Sequence, residues 1–103
     1  MLSRTSKALP DNPHPGEILL EEFIEPFGLS QNGLARALRV SPRRINEIVL
    51  GKRAVSADTD LRLCRYFGLS EGFFLRLQIA YDLMEARRKS GKQIERDVSP
   101  MAA

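Results

Sequence analysis

Among its 103 residues the chain has one cysteine and one histidine. No disulfide framework can form within one copy, and Cys64 with His14 cannot assemble the four-ligand sites that structural zinc prefers. Neither a metal nor a cofactor is expected. Apolar runs fall far short of the roughly 18 to 20 residues of a membrane span, and the first residues lack the apolar core of a signal peptide. A cytoplasmic protein with no membrane contact is therefore expected. Apolar and polar residues nowhere alternate over a useful stretch, so no strand signal survives. Catalytic groupings are missing as well: no nucleophile lies near a base in any recognisable pattern, and no glycine loop could cradle a phosphate. An enzyme is not expected. His14, between Pro13 and Pro15, reads as a turn or cap residue, and Cys64 as a buried, inert thiol.

The charge that is present is unevenly distributed. Net charge is only +3, yet Glu17, Glu21, Glu22 and Glu25 stand in a stretch to Phe27 with no base, whereas Arg36, Arg39, Arg43, Arg44, Lys52 and Arg53 face Glu47 alone. The basic stretch suits a polyanion; the acidic one is either a solvated face or a dock for a basic protein. Leu19, Leu20, Phe23, Ile24 and Phe27 recur at helical spacing after Pro15, with Pro26 expected to tighten the last turn. Gly28-Leu29-Ser30 recurs as Gly68-Leu69-Ser70, each reading as a glycine stop, a core leucine and a serine cap. Between and beyond these marks the pattern predicts helices over 30–38, 41–50, 56–67 and 70 to about 88, giving a five-helix, all-α fold. Residues 1–13 read as a flexible arm, 14–88 as one domain and 89–103 as a flexible tail. The last helix carries two apolar stripes. Phe73, Leu77, Ala80, Tyr81 and Met84 suit a core, and Leu75, Ile79, Leu83 and Ala86 suit a second copy of the chain.

The second and third helices are separated by Arg39 and Val40, and Ser41 and Pro42 cap and open the third. Leu34, Ala35, Leu38, Val40, Ile45 and Ile48 fall where two short helices crossed at a steep angle must touch, with Ala35 small enough to let them close. That is a helix-turn-helix. The outward edge of the third helix then holds Pro42, Arg43, Arg44, Asn46 and Glu47 as candidate base contacts. Arginine matches guanine O6 and N7, asparagine matches adenine N6 and N7, and glutamate can accept from cytosine N4. Gln31, Ser41, Arg39, Lys52 and Arg53 are candidate phosphate contacts.

These residues resemble the Cro/repressor-type helix-turn-helix superfamily and, within it, the HigA (VapI-type) antitoxins. The likeness spans His14 to about Tyr81. It rests on His14-Pro15-Gly16-Glu17, Leu34-Ala35, Ser41 to Ile48, Gly51-Lys52-Arg53, Asp58-Thr59 and Tyr66-Phe67-Gly68. It implies a lambda-repressor-like domain that binds a palindromic operator in double-stranded DNA as a homodimer, represses its own operon and neutralises a HigB toxin, a RelE-like messenger-RNA interferase. A regulator without a toxin, and an interaction module that has lost DNA binding, are the alternatives; groove-reaching Arg43, Arg44 and Asn46 argue against the second. Three positions depart from the pattern. Arg39 stands at the usual turn glycine, Leu50 where a polar residue is common, and Gly33 inside a helix, where it suggests close approach by DNA or another helix.

Overall fold

A computed structural model describes residues 11–102 and is helical throughout, with no strand among the described residues. The arm expected over 1–13 falls mostly outside them. Helix α1 (Pro15–Leu19) starts on His14, whose Nδ1 accepts from the Gly16 N–H at 2.9 Å. Accepting at Nδ1 requires neutral imidazole there, and burial pulls the His14 pKa below its ordinary value against the opposing attraction of Glu17 and Asp82. The ring meets Tyr81 edge-on, 4.9 Å between centroids, and Asn12 Nδ2 donates to the Tyr81 carbonyl and to Glu85. The chain therefore enters the fold already fastened to its last helix.

From Leu20 to Ile24 the helix widens into a π turn, closed by the Glu25 N–H on the Leu20 carbonyl at 2.9 Å. The tightened end expected from Pro26 is not what forms. A proline ring clashes with the carbonyl four residues back, and a wider turn moves that carbonyl aside. Phe23 consequently lands among Phe67, Phe73 and Phe74, with ring centroids 4.9 to 5.9 Å away. Phe27 stays largely exposed at the rim of this cluster. Gly16 is where α1 crosses the third helix: a Cβ there would sit 1.8 Å from the Ile48 carbonyl oxygen.

Helices α2 (Gln31–Leu38), α3 (Pro42–Val49) and α4 (Ala57–Phe67) begin on Ser30, Ser41 and Ser56, each hydroxyl accepting from the N–H three residues on. Leu34, Ala35, Leu38, Ile45 and Ile48 are buried between α2 and α3, as their spacing predicts. The turn does not avoid the left-handed region: Arg39 has φ 61° and ψ 42°, a strain of about 1 kcal/mol or more for a residue with a Cβ. Gly33 has a local reason, and among the described residues no other helix approaches it within 4 Å. A Cβ there would lie 2.9 Å from Ser30 Oγ and disturb the cap.

Helix α5 (Phe73–Asp97) departs most from expectation. Gly68 is left-handed like Gly28, but Ser70 caps nothing; Gly72, at φ 94°, precedes the first turn. The cap comes from across the chain. Asp60, fully buried on α4, accepts at Oδ2 from the Gly72 N–H (2.7 Å) and at Oδ1 from the Phe74 (2.8 Å) and Leu75 (3.0 Å) N–H groups. Cys64 is buried beside it, its Sγ 3.6 Å from Oδ1. With the helix turned to meet Asp60, Phe74 and Gln78 are buried, Phe73, Leu77, Tyr81 and Met84 flank them, and Ala80 is exposed. Gln78 Oε1 accepts from the buried Val55 N–H at 2.8 Å and so pins the segment leaving α3.

The tail expected from 89 is helical as far as Asp97. Lysine, glutamine, arginine and glutamate propagate a helix readily, Gly91 costs only about 1 kcal/mol, and the stop comes at Val98, two residues before Pro100. This last third of α5 lies almost wholly exposed, and the molecule measures 51 Å along its longest axis. Replacing Asp60 by Asn would turn an amide donor toward a backbone donor. Asp60→Asn is expected to lose about 2–3 kcal/mol in urea unfolding at an unchanged m-value; an unchanged midpoint would remove Asp60 from the account of the fold.

Candidate nucleic-acid interface

Ser41 and Pro42 set the start of α3, and burial of Ile45 and Ile48 fixes which way the helix is turned. The side chains left outward are Pro42, Arg43, Asn46 and, beyond the helix, Leu50, Lys52 and Arg53, all exposed. Arg43 is open to solvent, its side chain 82% exposed. The helix ends in a Schellman turn: the Gly51 N–H (φ 77°) returns to the Ile48 carbonyl and the Lys52 N–H to the Glu47 carbonyl at 2.8 Å. Lys52 and Arg53 therefore leave α3 along a fixed path. Gln31 occupies the first turn of α2, half-buried, where the leading N–H groups have no acceptor within the helix. Arg36 and Arg39 are exposed.

Three of the five candidate base contacts, Arg43, Arg44 and Glu47, are held in ion pairs. Arg44 turns toward α4, where its Nη1 donates to Asp58 at 2.9 Å and to Thr59 Oγ1 at 3.3 Å; its side chain is 31% exposed. Arg62 also binds Asp58, at 2.8 Å, and donates to the Leu38 carbonyl at the end of α2. Arg44 thus joins α3 to α4, and the pair of arginines holds the Asp58 carboxyl below its usual range, Arg62 the more strongly. Glu47 lies between Arg43 and Arg53. Its Oε2 accepts from Arg43 Nε at 2.8 Å, and its Oε1 from Arg53 Nε at 2.9 Å and Nη2 at 2.8 Å. Both guanidiniums lower its pKa, Arg43 first. The interface as folded is Arg43 and Asn46 at the tip, flanked by Gln31, Ser41 and Lys52, with Arg53 drawn in against Glu47.

Sequence spacing missed Asp58 and Thr59 as the seat of Arg44. They lie 14 and 15 residues on, a separation no helical period reports. The Arg43–Glu47 pair was legible as an i,i+4 contact. Among the described residues no group of His, Cys, Asp and Glu could hold a metal, and no helix is long and apolar enough to cross a membrane.

A helix-turn-helix family model matches residues 20–74. Virulence-associated protein I of Dichelobacter nodosus is 57% identical over 75 residues, 73% of this chain and 69% of the relative. The structure of Pseudomonas aeruginosa antitoxin HigA with the higBA promoter superposes at a TM-score of 0.86 with 46% identity, covering 89% of this chain and all of that one. The antitoxin GraA in complex with its operator gives 0.86 with 40% identity, over 94% and 98% of the two chains.

The geometry separates two neighbouring arginines that sequence alone treats alike. Arg43→Ala is expected to lose about tenfold or more in discrimination at one base position with its unfolding midpoint unchanged. Arg44→Ala is expected to lower the midpoint and to weaken binding to all duplexes in step. Competition titrations with single-base-pair variants, run beside urea unfolding, check both; equal loss of base discrimination from the two substitutions would put Arg44 in the groove.

Proposed function

The chain belongs to the helix-turn-helix family, among the HigA-type antitoxins, and from that premise we propose that it is a homodimeric repressor of its own promoter. The observation that carries this reading is the exposed tip of α3, where Arg43 and Asn46 present the two side-chain types best matched to purine edges in the major groove. Lys52, Gln31 and Ser41 surround that tip with donors for phosphate oxygens. These contacts fix position, whereas the tip carries sequence information. Binding, not catalysis, is the activity, and it takes place in the cytoplasm.

A palindromic operator asks for two copies whose α3 helices lie about 34 to 36 Å apart, one turn of the duplex. The dimer face is the apolar stripe of α5. Ile79 and Leu83 are 55% and 54% exposed, Leu75 is half-buried and Ala86 open, and the continued helix adds exposed Ile94 about two turns beyond Ala86. An exposed apolar row of this length on a small domain suits a second copy. Neutralisation of a HigB-like toxin completes the role, and exposed Glu21, Glu22 and Glu25 suit a basic toxin surface.

A gel-shift titration on the duplex immediately upstream of the coding sequence, against random-sequence competitor at two salt concentrations, tests the reading. Wild type is expected to give a competitor-resistant shift that weakens with salt. Ile79→Asp is expected to sediment as a monomer and to lose that shift while staying helical. A dimeric Ile79→Asp would move the interface elsewhere, and a wild-type shift abolished by random competitor would remove operator binding from the protein.

A further inference from the structure

We propose that Glu47 is a specificity-determining positioning residue, a carboxylate that sets the aim of Arg43 and restrains Arg53, and not itself a reader of bases. The proposal rests on the DNA-binding reading above. Its basis is the division of the Glu47 carboxylate: Oε2 takes the inner nitrogen of Arg43, and Oε1 takes the side edge of Arg53. Both oxygens are occupied, and the side chain is only 24% exposed although the arginines around it reach solvent. A cytosine N4 donor would have to share one of these oxygens with an arginine already bound there.

What the bracket leaves free is as telling as what it binds. An arginine donates to guanine O6 and N7 through its two terminal nitrogens. In Arg43 the contact with Glu47 uses Nε, which restrains the guanidinium while its two terminal nitrogens take no part in that contact. An unbracketed arginine at 82% exposure would sample many rotamers and would meet phosphates as readily as bases. Arg53 is restrained through the opposite face of the same carboxylate, and the path of the chain that carries it is set by the Schellman turn at Gly51.

Charge acts in the same direction. Arg43, Glu47 and Arg53 together carry +1, where the two arginines alone would carry +2. Affinity for any duplex rises with the number of phosphates neutralised. Glu47 therefore subtracts from binding to random DNA while adding to binding at the operator, and both effects widen the ratio between them.

Full-length wild type, Glu47→Gln and Glu47→Ala are titrated on the upstream duplex and on a random-sequence duplex of equal length over a range of salt. Both variants are expected to bind the random duplex more tightly, with a salt slope steeper by about one, and to lose about tenfold or more in the operator-to-random ratio. In a double-mutant cycle, Glu47→Ala and Arg43→Ala are expected to lose discrimination at the same base pair and to be non-additive there. A merely structural role would weaken both duplexes together and leave the salt slope alone, which would overturn the proposal. So would loss at a base pair Arg43 does not read, since that is direct readout by Glu47. If wild type itself fails to separate the two duplexes, operator binding falls and the bracket with it; if wild type separates them and Glu47→Gln does so equally well, only the bracket falls.

Discussion

The Asp60 carboxylate organises the fold. A buried anion is unfavourable unless hydrogen bonds replace the water it has lost. Here the replacements are the N–H groups of Gly72, Phe74 and Leu75, the very donors that the start of α5 leaves unpaired. Each need answers the other. That contact fixes where α5 starts and turns Phe74 inward, and the bond from Val55 holds Gln78 one turn further on. No buried side-chain nitrogen or oxygen among the described residues is left without a partner.

The first turn of α4 extends this control to the DNA-facing side. Ser56 caps it, Asp58 and Thr59 take Arg44 from α3, and Asp58 holds Arg62, which reaches back to the end of α2. Gly16 works from the other side, letting α1 lie directly against the α3 backbone at Ile48. Held from both sides, α3 has its apolar face fixed inward and its tip fixed outward. A recognition helix must be rigid, because base readout depends on placing a guanidinium edge to within a fraction of an ångström.

What could be read from the chain in advance follows the range of the interaction. The caps at Ser30, Ser41 and Ser56, the left-handed glycines at Gly28 and Gly68 and the α2–α3 packing are local signals, and they appear where their spacing places them. Helix α5 departs from its sequence pattern at both ends for two different reasons. Its start depends on Asp60, a dozen residues away, which displaced the cap from Ser70; its end was set by propensity, which outweighed a single glycine. The same holds in the site. Arg43 and Asn46 emerge as the exposed tip, while Arg44 is taken by residues that no sequence period connects to it. Arg39 in the left-handed region shows a tight turn forming without its usual glycine, the strain borne by the packing of Leu38 and Val40 on either side.

The central claim is that the tip of α3 lies in a major groove. Protection of guanine N7 from dimethyl sulfate on the upstream duplex tests it most directly, because N7 opens only into that groove. The account expects two sets of protected guanines about one helical turn apart, with one guanine in each set exposed again by Arg43→Ala. Guanines that stay fully reactive while minor-groove adenine N3 is shielded would contradict it.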